Sequence, residues 1–146
     1  MHWDYAFLIC MRDTELKRKK AQALYSVYKK GLEEGHFASM REVARYASKH
    51  PAPCFFIEAK KASDLVGRII RKVSLINLNS NSRKQTWQLY GMYQQYLADH
   101  PDCKLSRERI MEILVDQPAP EFYITTDGAR RLLYGEIKRV RRRNGW

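Results

Sequence analysis

A seven-residue stretch occurs twice in this chain, and it limits what the chain can fold into. Pro51-Ala52-Pro53-Cys54-Phe55-Phe56-Ile57 returns as Pro118-Ala119-Pro120-Glu121-Phe122-Tyr123-Ile124, a shift of 67 residues. Matching residues continue on both sides. Upstream, Leu24, Tyr25, Tyr28 and Leu32 match Leu89, Tyr90, Tyr93 and Leu97 at a shift of 65, and Ser39 matches Ser106 at a shift of 67. Val43, Tyr46 and Ala47 match Ile110, Ile113 and Leu114. Downstream, Ala62, Leu65, Val66 and Ile70 match Ala129, Leu132, Leu133 and Ile137. The same elements in the same order signal a repeated structural unit.

Within each copy the local chemistry predicts helix, short helix, extended arm, helix. Trp3 to about Leu32 reads as helical, with Leu24, Tyr25, Tyr28 and Leu32 on one face. Residues 5–10 are an uninterrupted apolar run that periodicity leaves open between helix and short strand. Gly31, Gly35 and His36 mark the end of that helix. Ser39-Met40-Arg41-Glu42 has the form of a capping box, and Val43, Tyr46 and Ala47 form the stripe that follows it. His50 precedes a proline and is pushed to extended geometry, so this helix stops near Lys49.

Pro51 and Pro53, with Pro118 and Pro120, stiffen the arms. Phe55, Ile57, Phe122 and Ile124 are their expected core pegs, by the two-residue alternation. A third helix opens near Ala59, with the stripe Ala62, Leu65, Val66, Ile69 and Ile70. Its counterpart is expected to start at Thr125 or Thr126, a better N-cap than the equivalent residue of the first copy. Asn77 to Ser82, rich in Asn and Ser, reads as the linker.

The expected fold is therefore mainly α. It consists of two tandem pseudo-symmetric repeats, 1–78 and 79–146, each a small three-helix, helix-turn-helix-like unit with a short extended Pro-aromatic arm. A unit this small has little core of its own, so the two are expected to pack as one.

The Pro-x-Pro-x-aromatic-aromatic-aliphatic pattern, followed by Ala and a basic helix end, resembles a group of short, uncharacterised tandem-repeat proteins of gut Bacteroidetes and their mobile elements. The resemblance covers essentially the whole chain. It departs at Cys54 and Glu121, where the pattern leads one to expect a basic residue. It implies no activity and transfers no site residues.

Charge narrows the function. Lys and Arg number 27 against 16 Asp and Glu, a formal net charge of +11. Such a field attracts polyanions or an acidic protein. The candidate nucleic-acid contacts are Lys60, Lys61, Arg68, Arg71 and Lys72 on the first copy's third helix. On the second copy they are Arg130 and Arg131, with the tail Lys138, Arg139, Arg141, Arg142 and Arg143. DNA is expected ahead of RNA. The turn argues against a strict helix-turn-helix, because His50 to Glu58 is longer than the usual three or four residues. Trp146 could stack on a base. The other expectation is a non-enzymatic interaction or inhibitor module, docking its Pro-aromatic arms on an acidic partner.

Other chemistry has little support. Three cysteines, an odd and sparse count, suit a reducing cytoplasm better than a disulfide scaffold. His50, Cys54, His100 and Cys103 could ligate zinc only from non-equivalent positions in the two copies, so no metal or other cofactor is expected. Tyr25, Tyr28, Tyr90 and Tyr93 read as half-buried packing before they read as a stacking platform. There is no phosphate loop, nucleophile elbow or His-Glu-x-x-His, and no enzyme is expected. Ala6 to Met11 is too short to span a bilayer, and no signal peptide or membrane partner is read.

Overall fold

Six helices form among the described residues, and four of them open on a side-chain cap. A computed structural model of the chain describes residues 2–35 and 37–145, and the side chains from Thr14 onward. The helices are α1 (His2–Glu33), α2 (Met40–Lys49), α3 (Ala59–Ile70), α4 (Ser80–Asp99), α5 (Arg107–Leu114) and α6 (Thr126–Arg143). The backbone of residues 5–10 belongs to α1, so the short strand is not formed. Cys10, His36 and Trp146 lie outside the described side chains.

The caps follow the sequence closely. Ser39, Ser106 and Thr125 accept from the backbone N–H groups of Glu42, Arg109 and Gly128 at 3.3, 3.2 and 3.0 Å. Each satisfies a donor that a helix start leaves orphaned. The capping box at Ser39 closes one residue early: Glu42 Oε2 accepts from the Ala38 N–H at 2.9 Å, not from Ser39. Half of the expected linker is helix. Asn79 accepts from the Ser82 N–H at 2.8 Å and caps α4, so Ser80 to Ser82 form its first turn.

The core centres on the arms. Ala52 and Ala119 pair in an antiparallel bridge, with N–H···O distances of 2.9 and 3.0 Å in the two directions. The Phe55 N–H donates to the Val115 carbonyl at 2.9 Å, and the Phe122 N–H donates to the Ser48 carbonyl at 3.2 Å. The Phe55 ring stacks on Tyr123 and the Phe122 ring on Phe56, each with centroids 6.0 Å apart. Each of these contacts recurs with the two copies of the motif exchanged. Phe55 and Phe122 are each 2% exposed and join Leu24, Leu89, Ile110, Met111, Val66 and Leu133 in one cluster.

The arms also decide which helices meet. α3 packs against α4 and α5, whereas α6 packs against α1 and α2. Among the described residues α2 and α3 share no packed contact, nor do α5 and α6. The helix-turn-helix pairing expected within one copy is therefore not made. The cause is the connection from His50 to Glu58, which runs extended past its counterpart. It delivers the following helix to the other half of the molecule.

Ends of the expected stripes turn outward. Leu32, Leu97 and Ile70 are 49%, 39% and 44% exposed, while Ala44 and Met111 are buried instead. The tyrosines Tyr25, Tyr28, Tyr90 and Tyr93 are half-buried against the core, as their packing role requires.

Candidate nucleic-acid interface

The cationic side chains are not spread evenly over the helices. They fall into distinct environments, each set by which helices the crossed arms bring together.

The first surrounds Gly67, where α3 meets α5. Arg107 opens α5, and its Nε–H donates to Ser63 Oγ across the helix contact at 3.0 Å. That bond draws the guanidinium over Gly67. A Cβ on Gly67 would stand 2.7 Å from Arg107 Nη2 and 3.2 Å from Arg71 Nη1. Two guanidinium groups thus sit side by side, with no ion pair to either among the described residues. Like charges brought together raise the potential for an anion there. Arg68, one residue on, donates to Asn77 Oδ1 at 3.5 Å.

Immediately beyond, Lys72 (φ +59°) turns the chain out of α3. A groove of about 530 Å³ opens there, lined by Ile69, Lys72, Val73, Ile76, Arg83 and Trp87 among others. A second groove lies on the other side of Arg83 and Trp87, lined also by Lys84, Glu121 and Tyr123. Trp87 is 56% exposed, an uncommon state for so large a ring. Arg71 and Arg107 thus meet at Gly67, and Lys72, Arg83, Lys84 and Trp87 line the two grooves that share Arg83 and Trp87.

The second environment is the cleft between α1 and α6, about 730 Å³, whose lining includes Lys17, Arg18, Lys20, Arg131 and Arg139. Burial lowers the Lys20 ammonium below the usual lysine range. Glu136 is also in the lining and is only 4% exposed. Its Oε2 lies 3.5 Å from Arg139 Nη1, within ion-pair reach, and has no hydrogen-bond partner among the described residues.

The third environment is acidic. Glu15, Glu58, Glu108, Glu112 and Asp116 line a groove between the first arm, α1 and α5, with Lys19, Cys54 and Lys60. Burial, and then the Asp116 carboxylate, push the Cys54 thiol up.

The candidate residues separate accordingly. Arg71 stands over Gly67, Lys72 lines the groove of Arg83 and Trp87, and Arg68 donates to Asn77. Arg131 and Arg139 enter the α1–α6 cleft. Lys138, Arg141, Arg142 and Arg143 are exposed on the last turns of α6, where positive charge complements the helix dipole. Arg130 pairs with Asp127 at 3.4 Å, Lys61 is exposed, and Lys60 stands in the acidic groove. Sequence reasoning missed Arg107, Arg83, Lys84 and Trp87. Nothing in the order of residues shows that an arginine just inside a helix start will lie over a glycine forty residues away.

The arms turn their prolines outward and their aromatic and aliphatic residues inward. Pro51, Pro53, Pro118 and Pro120 are exposed, Phe55 and Phe122 are buried, and Ile57 and Ile124 are partly buried. Tyr123 takes a left-handed φ of +52°, a strained conformation for a bulky residue, held by its stack on Phe55. Burial, with the Glu121 carboxylate second, pushes its phenol up to about 12.

Among the described residues no group of three or more His, Cys, Asp or Glu side chains could hold a metal, and no helix is long and apolar enough to cross a membrane. Cys54 and Cys103 are free thiols. No family model, no curated protein and no solved structure matches this chain.

Proposed function

We propose that the chain is a nucleic-acid-binding protein, with DNA ahead of RNA as its polyanion. In this reading it is an accessory or regulatory protein of a mobile element, not an enzyme. It is built from two duplicated helical units that exchange their third helices about a local two-fold axis. The doubled contacts of the arms support that architecture, since each pairs a residue of one copy with the counterpart of its partner in the other. A reducing compartment such as the cytoplasm fits the free thiols.

One observation carries the functional reading: Arg71 and Arg107 converge on Gly67 without a carboxylate between them. A phosphate is the natural occupant of such a pair, because guanidinium groups match its geometry with paired N–H donors. Lys72, Arg83 and Lys84 extend the charge, and Trp87 offers a ring on which an unpaired base can stack. The basic ends of α6 add sequence-independent attraction.

Gly67→Ala tests this directly. The new Cβ would push against the tips of Arg107 and Arg71, which are flexible enough to move away. Alanine also favours the helix by about 1 kcal/mol. The variant is expected to fold at least as well as the parent by circular dichroism. Its affinity for a short DNA, read by fluorescence anisotropy, should fall several-fold. Unchanged affinity in a folded Gly67→Ala protein would remove the Gly67 surface from the interface.

A further inference from the structure

We propose that the chain associates with a second copy of itself, the outer face of α2 in one copy docking on the outer face of α5 in the other. The two helices occupy equivalent places in the repeat, and their inner sides agree. Val43, Ala44 and Ala47 correspond to Ile110, Met111 and Leu114, all buried. Their outer sides are inverted. Arg41, Arg45 and Lys49 correspond to Glu108, Glu112 and Asp116, and Glu42 corresponds to Arg109. Every charged position on one face has the opposite sign on the other.

Both faces are open. The six residues of the two main stripes are exposed; Arg41, Arg45 and Lys49 run four apart along one side of α2, and Glu108 and Glu112 along one side of α5, with Asp116 in the turn just past its end. Each face has an apolar centre: Tyr46 is 38% exposed and Ile113 is 40% exposed. The minority charges are engaged locally, Glu42 by the Ala38 N–H at 2.9 Å and Arg109 by Glu112 at 3.5 Å. Other groups strengthen the contrast. Glu15 and Glu58 add negative charge beside α5, against Lys19 and Lys60, while Lys49 also holds Glu121 at 3.4 Å.

An antiparallel contact between α2 and the other copy's α5 sets Arg41 by Asp116, Arg45 by Glu112 and Lys49 by Glu108. Tyr46 and Ile113 then pack at the centre. Pairing α2 with α2, or α5 with α5, sets like charges together. Charge therefore selects the mixed contact and fixes its register. Each copy carries one face of each kind, so the contact is either made twice in a closed pair or repeated along a chain. The net charge of +11 repels at long range. At roughly 0.1 M salt, screening beyond about 10 Å removes most of that repulsion and leaves the short-range pairing.

Sedimentation velocity on the full chain, without nucleic acid, decides the matter. At roughly 0.1 M salt the weight-average sedimentation coefficient of the parent should rise with concentration from the micromolar to the submillimolar range. Arg45→Glu or Glu112→Arg should each weaken association by at least roughly tenfold, the size of a lost close charge pair joined to a like-charge contact. The Arg45→Glu/Glu112→Arg double variant should recover it. An equimolar mixture of the two single variants should recover it too, because one then carries Glu at both 45 and 112 and the other Arg at both, so each cross-contact restores the central pair. A parent that stays monomeric overturns the proposal, as do folded single variants that associate like the parent. A double variant or a mixture that fails to recover overturns it as well. If the parent is monomeric while Arg45→Glu weakens DNA binding, α2 is part of the nucleic-acid surface instead.

Discussion

Phe122→Ala should unfold the molecule as a whole, not in halves. Phe122 is 2% exposed, packs in the shared core, stacks on Phe56 at 6.0 Å and follows the bridge that joins the two arms. Truncating a buried phenylalanine costs about 3–5 kcal/mol from lost burial and the cavity left behind. Loss of the ring pair accounts for about 0.5–1.5 kcal/mol in such sites. A total near 4 kcal/mol is a large share of the roughly 5–15 kcal/mol that holds a domain together. With a urea slope of about 2 kcal/mol per molar, the midpoint should fall by about 2 M. Phe55→Ala should cost a similar amount, since Phe55 is equally buried and stacks on Tyr123. Urea titrations followed by far-ultraviolet circular dichroism and by tryptophan fluorescence should show single coincident transitions for both variants. With Trp3 and Trp146 changed to Phe, the fluorescence of Trp87 reports on the α3–α5 group, and circular dichroism reports on all six helices. Two separated transitions, or a cost below about 1 kcal/mol, would refute the crossed-arm core.

Three further outcomes follow from the same structure. The raised phenol of Tyr123 keeps its proton more tightly when folded than when unfolded, so its contribution is complete below pH 10 and is lost as pH rises toward about 12. Tyr123→Phe should flatten that part of the stability-versus-pH curve without altering it at neutral pH. Glu136→Ile should raise stability by about 1 kcal/mol in urea titration, because a buried carboxylate held only by a 3.5 Å contact gives way to the residue type found at the equivalent Ile69. Ser106→Ala should cost about 1 kcal/mol by removing the cap of α5, and the corresponding Ser39→Ala should cost a similar amount at α2.

Much of the local structure was legible because it depends on neighbours in sequence. Ser39, Ser106 and Thr125 announce their helices through the donor each satisfies. Ala62 and Val66, like Ala129 and Leu133, point to the core because four residues nearly complete a turn. Where the third helices go was not legible. The stripe of α3 satisfies α1 and α2 as well as α4 and α5, and the rigidity of Pro51 and Pro53 says how the arm extends but not which half it reaches. Glu136 was hidden for a similar reason, since its polarity marks a solvent face until α1 covers it. The site depended on the same unknown. Arg71 was visible as a charge, but Arg107 becomes its neighbour only because the arms cross. Lys60 looked equivalent to Arg71 until α5 brought Glu108 and Glu112 alongside it.

The salt dependence of DNA binding is the most direct measurement of the proposed function. Anisotropy of a labelled DNA, titrated from about 50 to 200 mM salt, should show log affinity falling linearly with log salt, at a slope of about −0.9 per phosphate contacted on a duplex. Arg71→Ser should reduce that slope by about one contact. Lys60→Ser, in the acidic groove, should leave it unchanged. Absent binding at low salt, a flat salt response, or a slope that Arg71→Ser leaves untouched would contradict the account.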